Sequence, residues 1–188
     1  MNLPRPILAS ASPRRTELLR QFNLEFEIVP SDASEIHHEQ LTAGETAQIN
    51  AYRKARSVAK KLPDALVLGA DTLVCLDGRL FGKPRDLPEA RRMLRELEGH
   101  THQVVTGVCL IHLRAHRQRV FAEMTDVTFH PLSSEQIGRY LSSINPLDKA
   151  GAYAIQENGY MLVQEVAGSY SNVIGLPMER LQAELKAW

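Results

Sequence analysis

The chain has 188 residues, enough to bury a real core in one domain or in two closely joined lobes. Apolar residues make up 44%, and 22 Lys plus Arg balance 22 Asp plus Glu. A neutral total argues against a general nucleic-acid binder, whose basic excess would show in the sum, but leaves room for a nucleotide site made from a few local cations.

Cys75 and Cys109 are too few for a disulfide framework. They read as small apolar packing residues, which fits a reducing compartment. The N-terminal MNLPRPILAS lacks the apolar core of a signal peptide, and no apolar run approaches the ~20 residues a membrane helix needs. A soluble cytoplasmic protein without membrane or nucleic-acid partners is the simplest expectation.

In chain order, Pro4 and Pro6 cannot donate to a sheet ladder, so a short first strand is expected near Ile7. Ser12 followed by Pro13 has the form of an N-cap and first helical residue, with the helix running through Leu18, Leu19 and Phe22. Phe26, Ile28 and Val29 suggest a second strand. Thr42 and Glu45 have capping-box spacing before a helix to about Lys61, with Ala47, Ala51, Ala55, Val58 and Leu62 as its apolar stripe. Leu66 to Leu68 read as a short buried strand that ends at Gly69, and Asp77-Gly78 between apolar runs signals a hairpin.

Asp86 and Glu89 repeat the capping-box spacing before a helix to Glu98, stopped at Gly99. Gln103 to Leu113 and Val120 to Phe129 read as two long strands around the polar segment RAHRQR. Ser133 or Ser134 opens another helix, which ends before Pro146. Tyr160 to Val166 is strand-like, and Pro177 opens a final helix. Strands and helices mix without strict alternation, which predicts an α/β protein with a mixed sheet.

Several segments carry chemistry. Arg14 and Arg15 lie in the first turn of a helix, where the partial positive charge of the free N–H groups makes cations unfavourable. A phosphate between them and the helix end resolves the conflict; so would acidic side chains from elsewhere in the chain. Asp71 in GADT follows a short buried strand, where a carboxylate could hold a metal, take a proton from water, or simply cap the turn. Lys83 is held stiff by Pro84 and suits a phosphate oxygen, although a solvated loop lysine is the commoner case.

Lys54 falls on the flank of its helix's apolar stripe, not opposite it as Arg53, Arg56 and Lys60 do. It could reach a cleft edge or snorkel past the core. Gln156, at the end of DKAGAYAIQ, offers donors and acceptors suited to a base edge, or to backbone in a tight turn into a strand. Glu35 is a candidate metal ligand, with Asp32 and Glu39 as local competitors. The histidines show no paired zinc-helix spacing. Neither G-x-S-x-G nor a Walker A motif is present.

LASASPRR, Glu35, Lys54-Ala55, GADT at 69–72, GKP at 82–84, HQVVTG at 102–107, DKAGAYAIQ at 148–156 and NVIGLP at 172–177 together resemble the Maf family of nucleoside triphosphate pyrophosphatases. They occur in the family's order and span almost the whole chain, so residues 1–188 are expected to form a single Maf-like unit. The resemblance implies an elongated mixed sheet flanked by helices, with two lobes and a central cleft, like that of inosine triphosphate pyrophosphatases. It implies hydrolysis of a nucleoside triphosphate between the α and β phosphates, aided by a divalent metal, Mg²⁺ or Mn²⁺. It also admits a homodimer.

By the same resemblance, Asp71 matches the catalytic acidic residue that accepts a proton from water, and Glu35 matches a further acidic residue that helps hold metal. Ser10, Arg15, Lys54 and Lys83 match positions around the triphosphate. Arg14, Thr72 and Gln156 match positions associated with substrate choice. The segment AGAYAIQ resembles the branch preferring dTTP and UTP, except that Ala154 and Glu157 stand where glycine is usual. The alternatives are a pyrophosphatase for 7-methyl-GTP or other modified nucleotides, and a nucleotide sensor that inhibits septum formation.

Overall fold

The computed structural model describes residues 5–188, so Pro4 lies outside the described part of the chain. Seven strands form one mixed sheet: β1 (Ile7–Leu8), β2 (Glu27–Ile28), β3 (Val67–Leu76), β4 (Arg79–Phe81), β5 (Thr101–His112), β6 (Arg117–Phe129) and β7 (Val163–Ala167). Their order is β2-β1-β3-β5-β6-β7, with β4 paired to β3. β1 runs parallel to both β2 and β3, and the other pairings are antiparallel. Helices α1 (Pro13–Gln21), α2 (Ala43–Lys61), α3 (Leu87–Leu97), α4 (Ser134–Ser143), α5 (Tyr170–Ile174) and α6 (Met178–Lys186) flank this sheet. No helix among the described residues is long and apolar enough to cross a membrane.

Local chemistry sets most boundaries. Thr42 and Glu45 form the full capping box of α2, with Thr42 Oγ1 accepting from Glu45 N at 3.2 Å and Glu45 Oε2 from Thr42 N at 2.9 Å. Ser133 and Gln136 do the same for α4. Asp77 and Gly78 both have positive φ, 49° and 82°, as a two-residue hairpin turn demands. The expected helix start at Pro13 is present, although the Ser12 side chain makes no cap bond. The five-residue helix α5 has no counterpart in the sequence reading.

One expectation is corrected. The strand beginning near Leu66 does not end at Gly69; it runs ten residues to Leu76, so Asp71 lies in mid-strand and not at a strand's C-terminal end. The cause is tertiary. A Cβ at Gly69 would sit 2.3 Å from Ala51 O, and one at Gly107 would sit 2.2 Å from Ala47 C and O. Both glycines are strand residues shaved to let α2 lie directly on β3 and β5. The stripe Ala47, Ala51, Ala55 and Val58 is buried on the other side of that contact, while Leu62 emerges at 39% exposure.

The apolar core divides along the long strands. Leu68, Ala70, Val108, Leu110 and Phe121 pack with α1 and α6 at one end. Val74, Val104, Val127 and Phe129 pack with α3 and α4 at the other. This gives the expected two lobes. Between them, β1 pairs with β3 only as far as Leu68, and β4 joins only from Val74. Residues 69–73 of β3 therefore present an open edge, and the cleft lies there.

Candidate active site

A cavity of about 350 Å³ opens at this edge. Arg14, Arg15, Glu35, Lys54, Asp71, Thr72, Lys83 and Gln156 all line it. Ser10 stands immediately behind, its Oγ accepting from Arg15 Nη1 at 3.1 Å. Segments more than a hundred residues apart are thus brought to one place. Strand alternation accounts for the arrangement, because Asp71 faces α2 and Thr72 faces α1 and α5 from adjacent positions on the open edge.

On the α2 side, Lys54 reaches into the cleft and does not snorkel away. Its Nζ lies 2.6 Å from Glu35 Oε1 and 2.6 Å from Asp71 Oδ1, with the lysine side chain 14% exposed and Asp71 5%. Asp71 Oδ2 accepts from Asn50 Nδ2 at 3.0 Å. Burial works to raise the Glu35 carboxyl, but the hydrogen bond and charge of Lys54, with Lys83 beyond, outweigh it and hold it below the usual range. Lys83 is exposed and has no hydrogen-bond or ion-pair partner among the described residues.

On the other side, Arg15 is buried and donates to neutral oxygens: Nε to Gly175 O at 3.0 Å, Nη1 to Ser10 Oγ, and Nη2 to Thr72 Oγ1 at 3.0 Å. Burial pushes its pKa down, with the Asp71 carboxylate acting against that. Thr106 Oγ1 donates to Asn172 O at 3.1 Å and lies 3.0 Å from Thr72 Oγ1. With the Thr106 hydrogen so placed, Thr72 donates to Thr106 and accepts from Arg15. Its hydroxyl hydrogen is committed to Thr106, which leaves an oxygen lone pair to orient the guanidinium. Arg14 follows the other sequence alternative: it meets Asp148, Nη1 to Oδ2 at 3.5 Å and Nη2 to the Asp148 carbonyl at 3.3 Å.

The far wall is a chain of turns. Gly151 N donates to Gly82 O at 3.0 Å and so ties this wall to the Lys83 loop. Gln156 lies in a turn and not at the start of a strand, and its exposed side chain lines the cavity. The two departures from glycine are accommodated. Neither Ala154 nor Glu157 has positive φ; Ala154 N and O both meet Tyr140 Oη, and Glu157 pairs with the buried Lys149 at 3.2 Å. Tyr153, also in the wall, bonds His102 Nε2 at 2.8 Å.

Sequence reasoning missed His37, which lines the cavity, and Asn50, which lies behind it. Asn50 had a legible signal: it precedes Lys54 by four residues and so shares its helix face. His37 had none beyond its nearness to Glu35.

The Glu35–Asp71 pair fits a hard divalent cation of the Mg²⁺ type, which takes one or two carboxylates and completes its shell with phosphate oxygens and water. The described residues contain no group of three or more His, Cys, Asp or Glu side chains suited to an all-protein metal site. The donor set therefore suits a metal shared with a phosphate ligand.

The chain is 45% identical to a dTTP/UTP pyrophosphatase of Carboxydothermus hydrogenoformans over 181 residues, covering 96% of this chain and 97% of that protein. It is 47% identical to a dTTP/UTP pyrophosphatase of Acetivibrio thermocellus, with 96% and 93% covered, and 44% identical to one of Bacillus velezensis, with 97% and 95% covered. Among solved structures, a HAM1 protein from Coxiella burnetii aligns with 67% of this chain and 73% of its own at 13% identity and a TM-score of 0.42. The family model described as Maf-like protein matches residues 5–188. With the family's motifs gathered around one cleft, this chain belongs to the Maf family.

Proposed function

We propose that this chain is a pyrophosphatase that hydrolyses dTTP and UTP to the monophosphate and pyrophosphate, and that residues 1–188 act as one unit. The observation that carries the reading is the pairing of a buried arginine, bonded only to neutral oxygens, with two carboxylates across one open strand edge. A buried guanidinium without a carboxylate partner is costly unless an anion completes it. Arg15 still has free N–H positions, because a guanidinium carries five N–H donors and the contacts above use three.

In this reading, Arg15, Lys54 and Lys83 receive the triphosphate and neutralise charge as pyrophosphate leaves. Glu35 and Asp71 hold the divalent metal, which when bound neutralises phosphate charge and polarises the phosphoryl group. Asp71 orients the attacking water and takes its proton. The water oxygen bonds to phosphorus as the bridging P–O bond between the α and β phosphates breaks. Gln156 and the wall from Ala150 to Ile155 meet the base, and the relatives' names supply the choice of dTTP and UTP.

The test is a rate panel with purified protein, Mg²⁺ or Mn²⁺, and dTTP, UTP, CTP, GTP and 7-methyl-GTP. Fastest release of pyrophosphate from dTTP and UTP supports the reading. Preference for 7-methyl-GTP keeps the reaction and overturns the substrate. Tight binding without products replaces the enzyme with a nucleotide sensor.

A further inference from the structure

We infer that Asn50 is a positioning residue that fixes Glu35 and Asp71 relative to each other, so that the two carboxylates act as one metal-holding pair. The inference rests on the reading of the cleft as a pyrophosphatase centre. Asn50 is 1% exposed, on the face of α2 that packs against the sheet. Burying an amide there is unfavourable unless its polar atoms are bonded. Oδ1 accepts from Ile36 N at 2.8 Å, and Nδ2 donates to Ile36 O at 3.1 Å and to Asp71 Oδ2 at 3.0 Å. Ile36 N requires an oxygen opposite it and the Asp71 carboxylate requires a donor, so two independent partners fix the same amide orientation.

The consequence follows from connectivity. Glu35 precedes Ile36 in the irregular segment between β2 and α2. One side chain thus holds the backbone beside one carboxylate and the oxygen of the other. Other ties from this segment to α2 include Arg53 Nε to Ser34 O at 3.3 Å and the Lys61–Asp32 pair at 2.9 Å. Both are exposed and hold little, and the part-buried Ser31–Ser57 hydroxyl pair at 2.8 Å lies four residues before Glu35. Lys54 bridges the same carboxylates by charge, but a flexible lysine sets no fixed backbone distance. Asn50 does, through a short side chain bonded at both ends.

Wild type, Asn50→Leu and Asn50→Ala are compared; the alanine leaves room for water and covers the case in which the leucine does not fold. Mn²⁺ affinity is measured by titration with the α,β-methylene analogue of dTTP present. Both variants should bind Mn²⁺ about 10–100-fold more weakly. At saturating Mn²⁺, kcat should fall by a similar factor while KM for dTTP changes less than about threefold, since a lost transition-state interaction lowers kcat and leaves KM. The Ile36 amide should exchange hydrogen at least about tenfold faster. Unchanged Mn²⁺ affinity and unchanged Ile36 exchange overturn the inference. If wild type releases no pyrophosphate, the pyrophosphatase reading fails, while the Mn²⁺ and exchange measurements still decide whether Asn50 couples the two carboxylates.

Discussion

Replacing Gly107 by alanine tests how the sheet holds the site in place. The new Cβ would lie 2.2 Å from Ala47 C and O and 2.5 Å from Gln48 N, all main-chain atoms of α2. Carbon contacts are comfortable at about 3.5–4.0 Å, so the helix and strand must separate by roughly 1 Å, with no side-chain rotation to relieve them. Overpacking costs typically about 1–3 kcal/mol and sometimes more, and a backbone clash of this size belongs at about 3 kcal/mol or above.

The displaced helix carries Lys54 and Asn50, which meet Asp71 at 2.6 and 3.0 Å. A misplacement of about 1 Å is enough to cost on the order of 10²-fold in rate. Urea unfolding gives the stability change, and pyrophosphate release well below the unfolding midpoint gives the rate. Gly44→Ala is the control, because Gly44 lies in the first turn of α2 with nothing within 4 Å of a Cβ. It should gain up to about 1 kcal/mol. Gly107→Ala within about 0.5 kcal/mol of wild type, the range of neutral surface changes, and with wild-type turnover would refute the argument.

Asp71→Asn should lose about 10²–10⁴ of turnover and still bind nucleotide; equal loss of binding and turnover in calorimetry counts against a proton-accepting role. Gln156→Ala should change the ratio of dTTP to CTP rates more than their sum, and an unchanged ratio removes Gln156 as a base reader. Burial pushes His102 down to about 4 from 6.5, so the fold holds it neutral while the unfolded chain takes a proton. Its contribution is intact above pH 6.5 and declines to about pH 4, by up to about 3 kcal/mol. His102→Gln should flatten that stretch of the stability profile in urea titrations, and an unaltered profile assigns the acid loss to other groups.

The elements bounded by local chemistry were legible: the Thr42–Glu45 box, the Asp77-Gly78 turn and the Pro13 helix start all stand where their residue types place them. The candidate site residues were picked out through the family's motifs, and the structure gathers them at one edge. What failed was the end of β3. Glycine and aspartate inside a strand read as punctuation, because their positions are explained only by a helix packed against them from another part of the chain. Arg14 and Arg15 look alike in sequence, yet one meets Asp148 across the cleft and the other is buried among neutral oxygens. That difference depends on residues over a hundred positions away, which local pattern cannot weigh. Asn50 looked like an ordinary polar helix residue until Ile36 and Asp71 were placed around it.

The most direct measurement of the central claim is ³¹P NMR of dTTP incubated with the purified chain and Mg²⁺, beside Asp71→Asn under the same conditions. The account predicts dTMP and pyrophosphate in equal amounts from the wild type and neither from the variant on the same timescale. Orthophosphate with dTDP, or equal product from both proteins, would contradict it.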